Sequence, residues 1–274
     1  MKLALSNLAL PQTTSDEELA SFLELGLTGL EVAPTRIAPW DHLSKDVLSA
    51  FKSRLSAIGL EIPSLQAIFY GREGAALLED RRSFEIMHDQ VHRVAEIALT
   101  LGASVAVFGA PKQRLRGLLS KDEAFALGTE RLAILAETAM DTGGLVLGLE
   151  PVPEYYGGDF LPHWKDVLDM VDAVDHPGLR VHLDTGCVLL GGDNIGDATA
   201  SCSRRLAHFQ IAEPDLGGFS NPRADHTSAA TSLSAICYDG WTSIEMFQQP
   251  KPLEAVRVAL NYATALYGHT KPLE

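Results

Sequence analysis

The sequence predicts an α/β protein of the (β/α)8 TIM barrel class, folded as a single domain over residues 1–274. Three observations predict it. Short β-rich runs alternate with longer helical ones along the whole chain. There are eight β-rich runs, and 274 residues divided by eight gives roughly 34 per unit, the size of one βα repeat. Strict alternation of the two kinds of element implies a parallel sheet, and eight units suggest closure into a barrel. The competing architecture is an open, doubly wound sheet. Against it, no GxGxxG string follows the first β-rich run.

The eight strand candidates are residues 2–6, 29–33, 64–69, 104–109, 145–150, 180–184, 207–212 and 242–246. The first helix is announced by Ser15-Asp16-Glu17-Glu18, a capping box, and is stopped by Gly26. Apolar residues at 84, 87, 91, 94, 95, 98 and 101 then form a stripe of helical period that ends at Gly102. Ser120-Lys121-Asp122-Glu123 repeats the capping device ahead of Leu127, Ile134 and Leu135. No linker, low-complexity tract or shift of composition interrupts the pattern.

Composition narrows the function. The hydrophobic fraction of 46% and the charged fraction of 21% are those of an ordinary globular enzyme. A net charge of −14 repels phosphate backbones and anionic bilayers, so neither nucleic acid nor membrane is an expected partner. The three cysteines, Cys187, Cys202 and Cys237, form no CxxC pair and read as reduced thiols. Residues 1–7 are apolar too briefly for a signal peptide. The expected location is the cytoplasm.

Polar residues close the last four strand candidates: Glu150, Asp184, Gln210 and Glu245. In a barrel, the C-terminal ends of the strands form the active-site face. Residues two apart on a strand share a face, so Gly148, His182, His208 and Ser243 lie one layer below those four. A layer of Gly, His, His and Ser beneath three carboxylates is no packing solution and calls for a cation or many hydrogen bonds. Three crowded carboxylates repel unless positive charge sits among them. A hard divalent ion meets that need through oxygen donors.

In their local strings, these residues resemble the xylose isomerase-like TIM-barrel superfamily, in particular its sugar isomerases and ketose 3-epimerases. The strings are Gly148-Leu149-Glu150-Pro151, His182-Leu183-Asp184-Thr185-Gly186, His208-Phe209-Gln210 and 238–246, YDGWTSIEM. Their spacing matches too: 34 residues from Glu150 to Asp184, 26 on to Gln210 and 35 on to Glu245. The resemblance implies a metal site of Glu150, Asp184, Gln210 and Glu245, in which Glu150 and Glu245 are also the catalytic acid/base pair. It implies Mn²⁺ as the expected metal, with Mg²⁺ or Co²⁺ as alternatives. Gln210 stands where the epimerases have His, and a neutral amide oxygen favours Mn²⁺ or Mg²⁺ over Zn²⁺. Tyr156 stands where they have a substrate-gripping Glu, Cys187 where they have His and Leu216 where they have Arg. The chemistry therefore transfers more readily than the free-ketose substrate. The segment from Ala212 through His226 is similar to a broad set of sugar phosphate isomerase/epimerase proteins.

Further candidates lie near the same face. His226 follows the seventh strand, and in related barrels such a His reaches metal or substrate. Lys112 and Arg114 follow the fourth strand and suit a phosphate or carboxylate. Glu31, Gln66 and Tyr156 are expected to line the cavity and bind substrate. His182 and His208 are expected to orient the ligands from behind.

The expected function is a metal-dependent isomerase or epimerase of a sugar or sugar derivative. It would move a proton next to a carbonyl through an enediolate. The same apparatus also suits a lyase that cleaves a keto-sugar or C-glycoside. A metal-free sugar-binding protein is the reading from another class, and an endonuclease IV-type nuclease is opposed by the negative charge. A homodimer or homotetramer fits the class.

Overall fold

The structure, a computed structural model, describes residues 2–268. Its eight strands are β1 (Lys2–Ser6), β2 (Leu27–Glu31), β3 (Ser64–Leu65), β4 (Val105–Phe108), β5 (Val146–Leu149), β6 (Leu179–Asp184), β7 (Leu206–Ala212) and β8 (Trp241–Glu245). All the pairings are parallel, in the order β2-β1-β8-β7-β6-β5-β4-β3. The two ends of that order meet through isolated bridges, Gly29 with Glu61 and Val32 with Leu65. Bonds from Val32 N to Ser64 O (3.0 Å) and from Gln66 N to Val32 O (2.9 Å) complete the seam. The result is a nearly closed (β/α)8 barrel.

Nine α-helices surround the strands among the described residues: α1 (Asp16–Ala20), α2 (Lys45–Ile58), α3 (Arg81–Leu101), α4 (Lys121–Gly143), α5 (Trp164–Val174), α6 (Thr185–Leu190), α7 (Ile195–Cys202), α8 (His226–Ala235) and α9 (Pro252–Tyr267). Both capping boxes form as the sequence predicts. Ser15 and Glu18 close one at the start of α1, and Ser120 and Glu123 close the other at the start of α4. Gly102 ends α3 at φ 86°, a conformation that costs glycine nothing.

The strands begin and end within about two residues of expectation, with one exception. β3 stops at Leu65 instead of continuing to 69, because Ala67 adopts φ 51° and turns the chain out of the ladder. The pleat sorts residues by face. Leu5, Phe108, Leu149, Leu183, Phe209 and Ile244 are wholly buried between sheet and helices. Each stabilises the fold by about 1.5–3 kcal/mol relative to exposure. The alternate residues point into the barrel, and there the sequence is polar: Ser6, Glu31, Ser64, Gln66, His182, Asp184, His208, Gln210 and Ser243 are all buried. Among the described residues, no helix is long and apolar enough to cross a membrane.

Candidate metal centre and active site

The register sets the depth of each inward side chain. Asp184 pairs with Gln210, and His182 with His208 one layer down. Gln210 pairs with Ser243, however, while Glu245 pairs with Ala212. By register Gln210 is level with Asp184 and one layer below Glu245, and its side-chain bonds separate it from the other three expected ligands.

Glu150 and Asp184 come together at the mouth. With Cys187 they form a group of donor atoms all within 4.8 Å of one another, an arrangement that could hold a metal ion. Cys187 lies in the first turn of α6, which Asp184 caps: Cys187 N donates to Asp184 Oδ1 at 2.6 Å. Asp184 Oδ2 is buried with no hydrogen-bond partner among the described residues. The Cys187 thiol donates to Glu150 Oε1 at 3.5 Å. Room for the Glu150 carboxylate comes from Gly109, where a Cβ would collide with Glu150 Oε2.

Glu245 is half-buried and is held by Gln66, whose Nε2 donates to its Oε1 at 2.7 Å. The other amide atom, Gln66 Oε1, is buried with no partner among the described residues. These carboxyls bind protons tightly. Burial, then the charge of Asp184, pushes Glu150 up to about 8. Burial also pushes Asp184 up to about 7, against the lowering effect of the Cys187 N–H. Burial, Asp184 and Glu150 together push Glu245 well above the usual carboxylate range. Arg114, buried in the 3-10 turn Pro111–Arg114, donates from Nη2 at 2.7 Å to the backbone carbonyl of Glu150 rather than to a carboxylate. Crowded carboxylates, an unpartnered buried oxygen on one of them and, among the described residues, no Lys or Arg bonded to them are what a divalent metal would satisfy. The residues at the mouth fit such an ion.

Gln210 is engaged elsewhere. Its Nε2 donates to Glu31 Oε1 at 2.7 Å, and its Oε1 is 2.8 Å from His182 Nε2. The carboxylate fixes which end of the amide faces it, so Oε1 must accept from a protonated His182 Nε2. Burial, then His208, pulls the pKa of His182 down to about 3, so the ring is neutral. Glu31 also accepts from His208 Nε2 at 2.7 Å and from Ser64 Oγ at 2.6 Å. Burial alone would raise its pKa, but the charge and hydrogen bond of His208, with Ser64 and Gln210, bring it down to about 2. Glu31, expected to bind substrate, is instead an internal anion with 0% exposure.

His226 also departs from expectation. Its Nε2 bonds Glu213 Oε1 at 2.7 Å and its Nδ1 bonds Tyr267 OH at 2.8 Å, so the ring ties the loop before α8 to α9 and has no free nitrogen. Lys112 is exposed, whereas Arg114 is buried with Nε and Nη1 unpartnered among the described residues. Tyr156 is half-buried, and its hydroxyl accepts from Asp215 N at 2.9 Å. In the sequence Cys187 reads as a reduced thiol and as a departure from the epimerase pattern, not as a ligand. Its signal was its place three residues after Asp184, in the turn that Asp184 caps.

The fold is a parallel (β/α)8 barrel with acidic residues at the carboxyl ends of its strands, and comparison with known proteins gives its family. The model of the xylose isomerase-like TIM barrel matches residues 19–265, and the chain belongs to that family. No curated protein matches by sequence. Among solved structures, D-psicose 3-epimerase with D-tagatose from Clostridium cellulolyticum H10 superposes with a TM-score of 0.81 at 17% identity, covering 97% of this chain and 99% of that one. The 3-keto-D-glucoside 4-epimerase of E. coli gives 0.79 at 19% identity, over 97% and 99%. The IOLI protein with a bound zinc atom gives 0.77 at 16% identity, over the whole of both chains. At these identities the likeness carries the fold.

Proposed function

We propose that the protein is a metal-dependent isomerase or epimerase of a sugar or sugar derivative. The observation that supports this most directly is the buried, unpartnered Asp184 Oδ2 among the crowded donors of Glu150 and Cys187. The epimerase names carried by its structural neighbours agree with it. A divalent ion held by Glu150, Asp184 and Glu245 would polarise a sugar carbonyl and acidify the adjacent C–H. Oxygen donors alone suit Mn²⁺, with Mg²⁺ and Co²⁺ as alternatives.

Glu150 and Glu245 project from β5 and β8 and serve as the acid/base pair. One accepts the substrate proton, and the other returns a proton to the opposite face. Gln66 holds the Glu245 carboxylate through Oε1, leaving Oε2 for the proton. Arg114 fixes the backbone at Glu150 and so positions its side chain. In this reading Tyr156 would cover the substrate and the exposed Lys112 would meet a charged group on it. General acid–base work of this kind contributes about 10²–10⁴-fold.

The test is proton NMR in D₂O with added Mn²⁺, across a panel of ketoses, keto-sugars and sugar phosphates. Loss of one substrate C–H signal identifies both substrate and carbon. A product with a broken C–C or glycosidic bond would instead assign lyase chemistry to the same residues. No exchange into any panel member, together with no bound metal, would overturn the proposal.

A further inference from the structure

We infer that Cys187 joins the carboxylates of Glu150, Asp184 and Glu245 as a ligand of the metal ion, so that the site is a mixed sulfur–oxygen centre that prefers Zn²⁺ or Co²⁺ over the Mn²⁺ that oxygen donors alone would suit. The inference rests on the metal-dependent reading above and specifies the donor set.

Three observations carry it. The Sγ of Cys187 is in the donor cluster, within 4.8 Å of the carboxylate oxygens, and the residue is 9% exposed. Asp184, 2% exposed, spends Oδ1 on the Cys187 N–H and keeps Oδ2 unpartnered, so the backbone bond that places the thiol also fixes the carboxylate beside it. Finally, the expected amide ligand is spoken for: Gln210 Oε1 accepts from His182, and moving it to a metal would leave that buried N–H without a partner.

The spacing agrees with a shared ion. A Zn–S bond of about 2.3 Å and a Zn–O bond of about 2.0 Å at a tetrahedral angle separate sulfur from oxygen by roughly 3.5 Å. Cys187 Sγ and Glu150 Oε1 are 3.5 Å apart. At the right angle of an octahedral sphere, the same bonds would bring them to roughly 3.0 Å. The competing explanation of the distance is a thiol–carboxylate hydrogen bond and nothing more. Thiolate ligation shifts preference from Mn²⁺ and Mg²⁺ towards Zn²⁺ and Co²⁺. The thiol proton leaves to solvent as sulfur takes the ion, with no change of oxidation state.

The experiment is titration of the metal-free full chain with Co²⁺, followed by absorbance and by stoichiometry. The expected result is one Co²⁺ per chain with a sulfur-to-cobalt charge-transfer band in the near ultraviolet. Cys237→Ser, which alters an exposed thiol outside the cluster, should keep the band, whereas Cys187→Ser should lose it. Zn²⁺ affinity should fall in Cys187→Ser by more than the roughly 10–100-fold seen when a group merely supporting a ligand is lost. Stoichiometric Co²⁺ binding by the unmutated protein without the band overturns Cys187 as a ligand and leaves the metal-dependent enzyme standing. Failure to bind Co²⁺, Zn²⁺ or Mn²⁺ at all overturns both. The unmutated spectrum decides the point even if the Cys187 variant does not fold.

Discussion

Glu31 and Glu150 are the same residue type, both buried inside one barrel, yet they titrate in opposite directions. Glu31 accepts from Ser64, His208 and Gln210 and stays ionised far below neutral pH. Glu150 receives one weak thiol bond, faces Asp184 and holds its proton up to about 8. Burial raises the pKa of both, and the supply of donors decides between them. In the deep layer three protein donors satisfy the charge of Glu31, although His182 Nδ1 and Ser243 Oγ have no partner among the described residues. The mouth lacks that satisfaction, and an anion cluster left short of donors marks where a ligand belongs.

Neutralising the mouth should have the largest consequence. Glu150→Gln and Glu245→Gln are each expected to cut solvent exchange into substrate by about 10²–10⁴-fold, equivalent to roughly 3–5 kcal/mol of barrier. In chelator near neutral pH their thermal stability should be little changed, because burial already keeps each carboxyl protonated there. Near wild-type exchange in Glu245→Gln would remove it from the proton path.

The deep layer should respond in the opposite way. Glu31→Leu leaves the donors of Ser64, His208 and Gln210 without their acceptor, and should cost about 3–5 kcal/mol of unfolding free energy. Glu31 is ionised in the folded state below its unfolded pKa, so the stability it contributes is present above pH about 4.5 and is lost as pH falls towards 2. A denaturant midpoint no lower than that of the unmutated protein would show that the network is not structural.

The mouth gives the reverse pH slope. Folded, metal-free Asp184 keeps its proton up to about 7, so between its unfolded pKa and that value the folded chain binds more protons than the unfolded one. Its contribution is therefore fully present below the unfolded pKa and declines as pH rises to about 7. Thermal unfolding in chelator from pH 4 to 8 should show this decline, and Asp184→Asn should flatten it. Added Zn²⁺ or Mn²⁺ should offset the decline increasingly as pH rises, because the ion replaces a proton. Unmutated and Asp184→Asn proteins with parallel pH profiles would contradict the description of the mouth.

The two regions were unequally legible in the sequence. The barrel was written in local signals: eight β runs, two capping boxes and helix-ending glycines, each readable within a few residues. The polar strand ends could be placed on one face because alternation fixes direction. Depth could not, because it depends on register between strands. Gln210 lies two residues before the end of β7 and Glu245 at the end of β8, and the pairing of Gln210 with Ser243 sets it a layer lower. Glu31 and Gln210 lie 179 positions apart, and His226 meets Tyr267 from 41 positions away. No pattern along the chain encodes such contacts.

Gln210 lies on the border between the two regions, and its replacement should have the smallest and most discriminating effect. Its amide is bonded at both ends within the deep layer, by His182 and to Glu31. Gln210→Leu keeps comparable bulk while leaving a His182 N–H and a Glu31 oxygen without partners. The expected cost is about 1–3 kcal/mol per lost bond in denaturant unfolding, with metal stoichiometry retained and metal affinity changed less than about tenfold. If Gln210 belongs to the mouth instead, the order inverts: stability holds while metal is lost. Measuring both quantities on that one variant locates the boundary between the network that holds the barrel and the acidic cluster at its mouth.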